Sequence, residues 1–256
     1  MKPTFRIDCS PESALAYGQG FAAVAVDVIR ATTTAVTAAS LGWKCYPVGS
    51  LEGALRLASE LRDPLLAGEL HGEKPDGFHI NNSPVELAEI QHASRPLVLL
   101  SSAGTKLIVN AAACDVVYLA CFRNAACTAD QMIQEAYPKI ALLGAGTRGE
   151  FREEDQIACA WIAARLQQAG YVAENAATAE IMNRWRDAPA TDCLQSRSVD
   201  YLKRTNQMKD LQFILDRIND LQECFTIKVP GPVTRRGGEL QVTNDLSHLG
   251  LPLAMG

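Results

Sequence analysis

Nowhere in its 256 residues does the chain carry an apolar run of about 18 residues, the length a membrane-spanning helix needs. Its opening, MKPTFRIDCS, also lacks the apolar centre of a secretory signal, so a cytoplasmic protein with no membrane partner is expected. The eight cysteines, at 9, 45, 114, 121, 127, 159, 193 and 224, form no CxxC pair and have no histidine at zinc spacing. This argues against a structural zinc and a disulfide framework, and they read as small buried hydrophobes. Positive charge is scarce too: 24 Lys+Arg against 29 Asp+Glu give a formal net charge of -5. Such a surface exerts no long-range pull on nucleic acid, which is not expected as a partner, and an anionic ligand must be held by local groups. Only four histidines are present and none follows a GxSxG elbow, so serine-hydrolase chemistry lacks its base.

What is present, from residue 23 to about 169, is an alternation of short β-branched runs with stretches of helical period. That is the pattern of βα units feeding a parallel sheet. Strands are predicted over 23–29, 44–48, 64–67, 97–100, 116–121 and 140–143, with 5–8 as a candidate edge strand. Helix starts are marked by Ser50, by Ser83 followed by Pro84, and by Thr128. From 177 to 221 the signal turns mostly helical, and Leu211, Ile214, Leu215 and Ile218 form an apolar stripe that reads as core packing. The run CFTIKV after residue 223, then Pro230-Gly231-Pro232 and a turn around Arg235-Arg236-Gly237-Gly238, predict a strand and a closing hairpin. The expected fold is three-layer α/β, a mostly parallel sheet flanked by helices, with a helical and hairpin C-terminal extension. One unit over 1–256 is the simpler account, with 177–256 as an alternative subdomain.

Ligands of open α/β sheets bind outside the carboxyl ends of the strands, where helix N-termini offer free N–H groups. In this chain that rim carries Asp27, Arg30, Thr32, Thr33, Glu69, Ser102, Gly104, Thr105, Lys106, Arg123, Asn124, Gly146 and Arg148. Small, hydroxyl and cationic residues of this kind suit a multiply charged anion. Asp27 and Glu69 stand among the cations without a structural task, and a carboxylate pair beside phosphate-binding groups suggests a bridging Mg²⁺, with Asp155 a candidate third ligand. Each element alone has a plainer reading: a strand-end Asp as a salt-bridge partner, Thr32 as a cap, the acids from Glu150 to Asp155 as complements of a helix dipole.

Two sharper motifs fail. Gly144 to Gly149 matches GxGxxG, yet it falls in the last βα unit and the acids that follow oppose a pyrophosphate; a dinucleotide-dependent oxidoreductase is the weaker alternative. Asp27-Val28-Ile29-Arg30 is similar to the nucleophile loop of haloacid-dehalogenase phosphatases, but their second acid would fall on Ile29, which has no proton to move.

Five blocks together resemble the 2-phosphosulfolactate phosphatase (ComB) family: VDVIRATTT at 26–34, AGELHGEKPDGFHINNSPVEL at 67–87, SSAGTKLI at 101–108, CFRNAACTA at 121–129 and GAGTRGEFREEDQIACA at 144–160. The resemblance implies a Mg²⁺-dependent hydrolysis of a phosphate monoester on a small sulfonated carboxylic acid, in coenzyme M biosynthesis. It implies catalytic roles for Asp27, Arg30 and Glu69, and a metal held by Asp27, Glu69 and Asp155. Substrate contacts are expected from Thr32, Thr33, Asn82, Ser102, Gly104, Thr105, Lys106, Arg123, Asn124, Gly146 and Arg148. One carboxylate would either orient water or attack phosphorus directly. Ala103, Asn81 and His79 depart from the family pattern inside the site, which puts substrate identity in question before reaction class. A catalytically silent anion-binding paralogue is the other alternative, and a homodimer is open as an assembly state.

Overall fold

The computed structural model describes residues 2–90, 94–147 and 149–236. In chain order its strands are β1 (Thr4–Cys9), β2 (Ala22–Val26), β3 (Cys45–Val48), β4 (Leu65–Gly68), β5 (Leu97–Leu100), β6 (Val116–Ala120), β7 (Lys139–Gly144), β8 (Val172–Ala173), β9 (Cys224–Ile227) and β10 (Val233–Arg236). The helices are α1 (Ala31–Ser40), α2 (Leu51–Glu60), α3 (Pro84–Glu89), α4 (Gly104–Asn110), α5 (Ala125–Gln134), α6 (Glu153–Gln168), α7 (Ala176–Trp185), α8 (Arg197–Arg204) and α9 (Met208–Leu215).

The strands divide between a seven-stranded sheet of order β10-β9-β6-β2-β7-β1-β8 and a three-stranded sheet of order β3-β5-β4. All pairings are parallel except those of β9 with β6 and β10. The expected α/β class therefore holds, while the predicted strands at 44–48, 64–67 and 97–100 leave the main sheet to build a second one. Helix α1 explains the split. Its sequence, ATTTAVTAAS, has no charged residue, and Ala31 through Ala38 are all buried. A helix without a polar face must be covered all round, and α1 packs on β6 and β10 of the large sheet and on β3 and β5 of the small one. Helices α5, α6 and α7 form a contiguous group on the large sheet, and α2 packs on β3 and β5.

Ser50 caps α2 by accepting the Gly53 N–H at 3.0 Å, and Ser83 caps α3 by accepting that of Glu86 at 3.1 Å, with Pro84 in the first turn. The other local expectations shift. Helix α5 starts three residues before Thr128, which is buried one turn inside it, because Asn124 already ends the preceding loop. The segment at 5–8 is not an edge: β1 lies between β7 and β8. The hairpin reverses between Ile227 and Val233, through Pro230-Gly231-Pro232; Arg235 and Arg236 are in β10, and Gly237 and Gly238 fall outside the described residues. Leu211 and Ile214 are core, but Ile218 lies beyond α9 and is 38% exposed. All eight cysteines are free. Among the described residues no helix is long and apolar enough to cross a membrane.

Candidate active site

The carboxyl ends of β1, β2 and β7 meet those of β4 and β5 around one cleft of about 790 Å³. Each strand contributes from its following loop: Pro11 and Glu12 after β1, Asp27 and Arg30 after β2, Glu69 and Gly72 after β4, Ser101, Ser102 and Lys106 after β5, and Gly146, Glu150 and Arg152 after β7. A volume of this order suits a small ligand with room for water.

Three carboxylates line it, each held differently. Asp27 is the residue after β2, and its backbone is tied down by Thr32, whose hydroxyl accepts the Asp27 N–H at 2.8 Å and sits 2.7 Å from the Ala120 carbonyl. Its carboxylate lies against the start of α4, where a Cβ on Gly104 would stand 2.1 Å from Oδ2; only glycine fits there. Glu69 accepts four hydrogen bonds: Ser101 Oγ and Ser102 N–H on Oε1, Ser102 Oγ and Gly72 N–H on Oε2, all at 2.7–3.0 Å. Asp155, in the first turn of α6, accepts the N–H of Val28 at 2.8 Å and that of Gly146 at 3.1 Å. It thereby braces the β2 and β7 loops against each other. It also takes a backbone N–H of the GxGxxG loop that a pyrophosphate would require.

Burial is the main force on these groups. It pushes the Asp27 carboxyl up to about 7, with the negative charges of Glu69 and Glu154 adding to the rise and the Ala31 N–H and Arg30 opposing it. Asp155 is raised well above the ordinary carboxylate range by burial, then by Asp27 and Glu154. Glu154 is raised by burial as well, and its Oε2 is buried without a hydrogen-bond partner. Asp27 therefore titrates near neutrality at the floor of the cleft, as an acid–base group requires.

Arg30 lines the same cleft while almost fully buried. Its Nη1 binds Asp210 at 2.5 Å and also Gln207, and its Nη2 reaches Asn81 at 3.3 Å. Asp210 in turn accepts Ser83 Oγ at 2.6 Å. Asn82, Ser102, Lys106 and Gly146 also line the cleft; Lys106 pairs with Glu12 at 2.7 Å, and Asn82 Oδ1 is buried without a partner.

Other expected contacts are corrected. Thr32, Thr33 and Thr105 are fully buried, outside the cleft lining, and their hydroxyls donate to the carbonyls of Asp27, Val28 and Ser101, which shapes the loops. Arg123 turns away, onto Asp220 at 2.7 Å and Thr37 at 2.8 Å, and Asn124 folds back on Cys121 and Leu119. Gly104 acts through Asp27. Arg148 lies outside the described residues. Asp27, Glu69 and Asp155 thus line one cleft, but both Asp155 oxygens accept amide N–H groups, both Glu69 oxygens accept two hydrogen bonds each, and the described residues hold no cluster of three metal-ligating side chains.

The cleft also gathers His71, from the loop after Glu69, and five residues not anticipated: Arg152, Arg197, Ser198, Tyr201 and Arg204. Arg152 and Arg197 share Glu150. The signal for three of them was the period of RSVDYLKR, whose Arg197, Tyr201 and Arg204 fall on one helical face opposite Val199 and Leu202.

A family model for 2-phosphosulpholactate phosphatase matches residues 9–223. The chain belongs to that family. This phosphatase-family match includes every cleft residue from Pro11 to Arg204 and stops before β9. Three relatives each carry the name "Probable 2-phosphosulfolactate phosphatase". That of Parasynechococcus marenigrum (strain WH8102) is 31% identical over 69% of this chain and 76% of its own length. That of Symbiobacterium thermophilum is 36% identical over 54% and 60%, and that of Synechococcus sp. (strain RCC307) 26% identical over 85% and 90%.

Proposed function

We propose that the chain is a phosphoric monoester hydrolase acting on a small acid that bears a second anionic group, with 2-phospho-3-sulfolactate as the named substrate. The products are 3-sulfolactate and inorganic phosphate, water supplying the oxygen and protons. The observation that carries this reading is Asp27: a carboxyl titrating near 7, set by Gly104 at the floor of a cleft that also holds Arg30, Lys106 and Arg152. Phosphate-ester hydrolysis has a very high uncatalysed barrier, so charge on the transferring phosphoryl group must be neutralised by fixed cations. Asp27 takes a proton from the attacking water, or attacks phosphorus itself.

Magnesium fits the donor chemistry in a reduced form. Asp27 and Glu69 are hard oxygen donors in one cleft, and Mg²⁺ is commonly held by one or two carboxylates plus substrate phosphate and water. Asp155 braces two loops through both of its oxygens, and Glu69 would exchange hydrogen bonds from Ser101, Ser102 or Gly72 for the ion. Bound there, the ion would supply charge neutralisation for the phosphoryl oxygens.

The test is phosphate release from a panel of phosphorylated hydroxy acids, including 2-phosphosulfolactate, with Mg²⁺ and with EDTA. Turnover lost in EDTA is expected. Binding of the esters without turnover of any supports a silent anion-binding paralogue instead, and turnover insensitive to EDTA removes the metal. Hydrolysis of an ester chiral at phosphorus separates the two routes: net inversion means a single in-line attack by water and excludes attack by Asp27, and net retention means two displacements through a phosphoryl-Asp27 intermediate.

A further inference from the structure

Helix α8 is anchored and aimed. Val199 and Leu202 are fully buried in the core, and Arg197, Tyr201 and Arg204, at positions i, i+4 and i+7, share the opposite face and line the cleft. Tyr201 fixes the register of that face: its hydroxyl donates to the Gly72 carbonyl. Its ring also stands where a Cβ on Gly72 would come within 3.0 Å, at a backbone φ of +92° that favours glycine. The Gly72 N–H is bound to Glu69, so α8 is coupled through one residue to the loop carrying a floor carboxylate.

The cations of the cleft are not equivalent. Arg30 is committed to Asp210, Lys106 to Glu12, and Arg152 and Arg197 to Glu150. Arg204 makes one long bond to the Asp200 carbonyl, 3.4 Å from Nε, and no carboxylate lies within ion-pair distance of it among the described residues. An exposed guanidinium in a cleft where Arg30, Lys106, Arg152 and Arg197 are each paired with a carboxylate has its fork of donors open to an incoming oxyanion.

We infer that Arg204, on the face of α8 that Tyr201 holds toward the cleft, receives the non-phosphate anion of the substrate and sets specificity for it. This rests on the phosphatase reading above. The shared chemistry is an oxyanion, either a carboxylate or a sulfonate. Phosphoryl transfer stays with the floor groups, and the helix determines which ester is retained.

The test compares kcat/KM for 2-phosphosulfolactate, for 2-phospholactate and for phenyl phosphate, in the native chain, Arg204→Gln and Arg204→Lys. Loss of fold lowers all three together, so the readout is the ratio of each acid to phenyl phosphate. In Arg204→Gln the 2-phosphosulfolactate ratio should fall at least tenfold, and Arg204→Lys should recover part of it. A parallel fall for 2-phospholactate identifies the carboxylate as the bound group, and its absence identifies the sulfonate. A ratio unchanged for both acids overturns the assignment. If the native chain hydrolyses none of the esters, the phosphatase reading fails alone. The subsite is then judged by the calorimetric Kd of 3-sulfolactate, which must weaken at least tenfold in Arg204→Gln; an unchanged Kd overturns it.

Discussion

The loops after β2 and β6 are near twins in sequence position and opposites in use. The two strands are paired in parallel, so Asp27 and Cys121 follow in the same register, and each four-residue loop brings an arginine to a helix start: Arg30 before α1, and Arg123 with Asn124 before α5. One loop opens onto the cleft. The other is covered by α9, whose Phe213 stacks under the Arg123 guanidinium, and by the segment that follows it, where Asn219 and Leu221 donate backbone N–H groups to the carbonyls of Phe122 and Arg123 and Asp220 pairs with Arg123. A strand's carboxyl end is thus a site only where the rest of the chain leaves it uncovered.

Substitutions can sharpen the contrast, and the largest effect belongs to the open loop. Asp27→Asn should lower phosphate release by about 10³-fold while circular dichroism stays native; near-normal rates would break the assignment of Asp27. Next, Asp210→Ala strands a buried Arg30 charge and should cost about 3–5 kcal/mol in denaturant unfolding, with kcat/KM falling because Arg30 loses its hold. An equal loss at both arginine loops would erase the distinction.

Acidity separates the loops as well. Folding raises the Asp27 carboxyl from 3.8 to about 7, so its ionisation opposes folding: stability present below pH 4 is lost as pH rises through 7. Cys121, raised by burial to about 11, stays neutral across that window. In EDTA, Asp27→Asn should therefore be the more stable protein at pH 8, by on the order of a few kcal/mol, and the gap should close at pH 4. A gap independent of pH would refute this. The smallest effect is expected from Asp220→Ala: its partner Arg123 lies away from the cleft and Asp220 is one-third exposed, so unfolding should ease by about 1 kcal/mol with unaltered kcat/KM.

Strand positions were legible because β-branched runs and caps such as Ser50 and Ser83 are local signals. Sheet membership was not, since it depends on what covers α1 on both sides, although the absence of charge in ATTTAVTAAS hinted at it. Asp27 and Glu69 were found in the cleft because strand-end acids beside glycine and serine carry a local signature. Arg123 misled because its partner lies 97 residues further along the chain. Arg204 was overlooked for the opposite reason: on a short charged helix it looks like any solvated side chain until Tyr201 turns that helix inward.

Asp155 spans two loops with a single short side chain, and so acts as a ruler. The gap between Val28 and Gly146 equals what one aspartate can reach, and one more methylene would lengthen that reach by about 1.5 Å. The spacing of the two loops at the cleft is therefore written into α6.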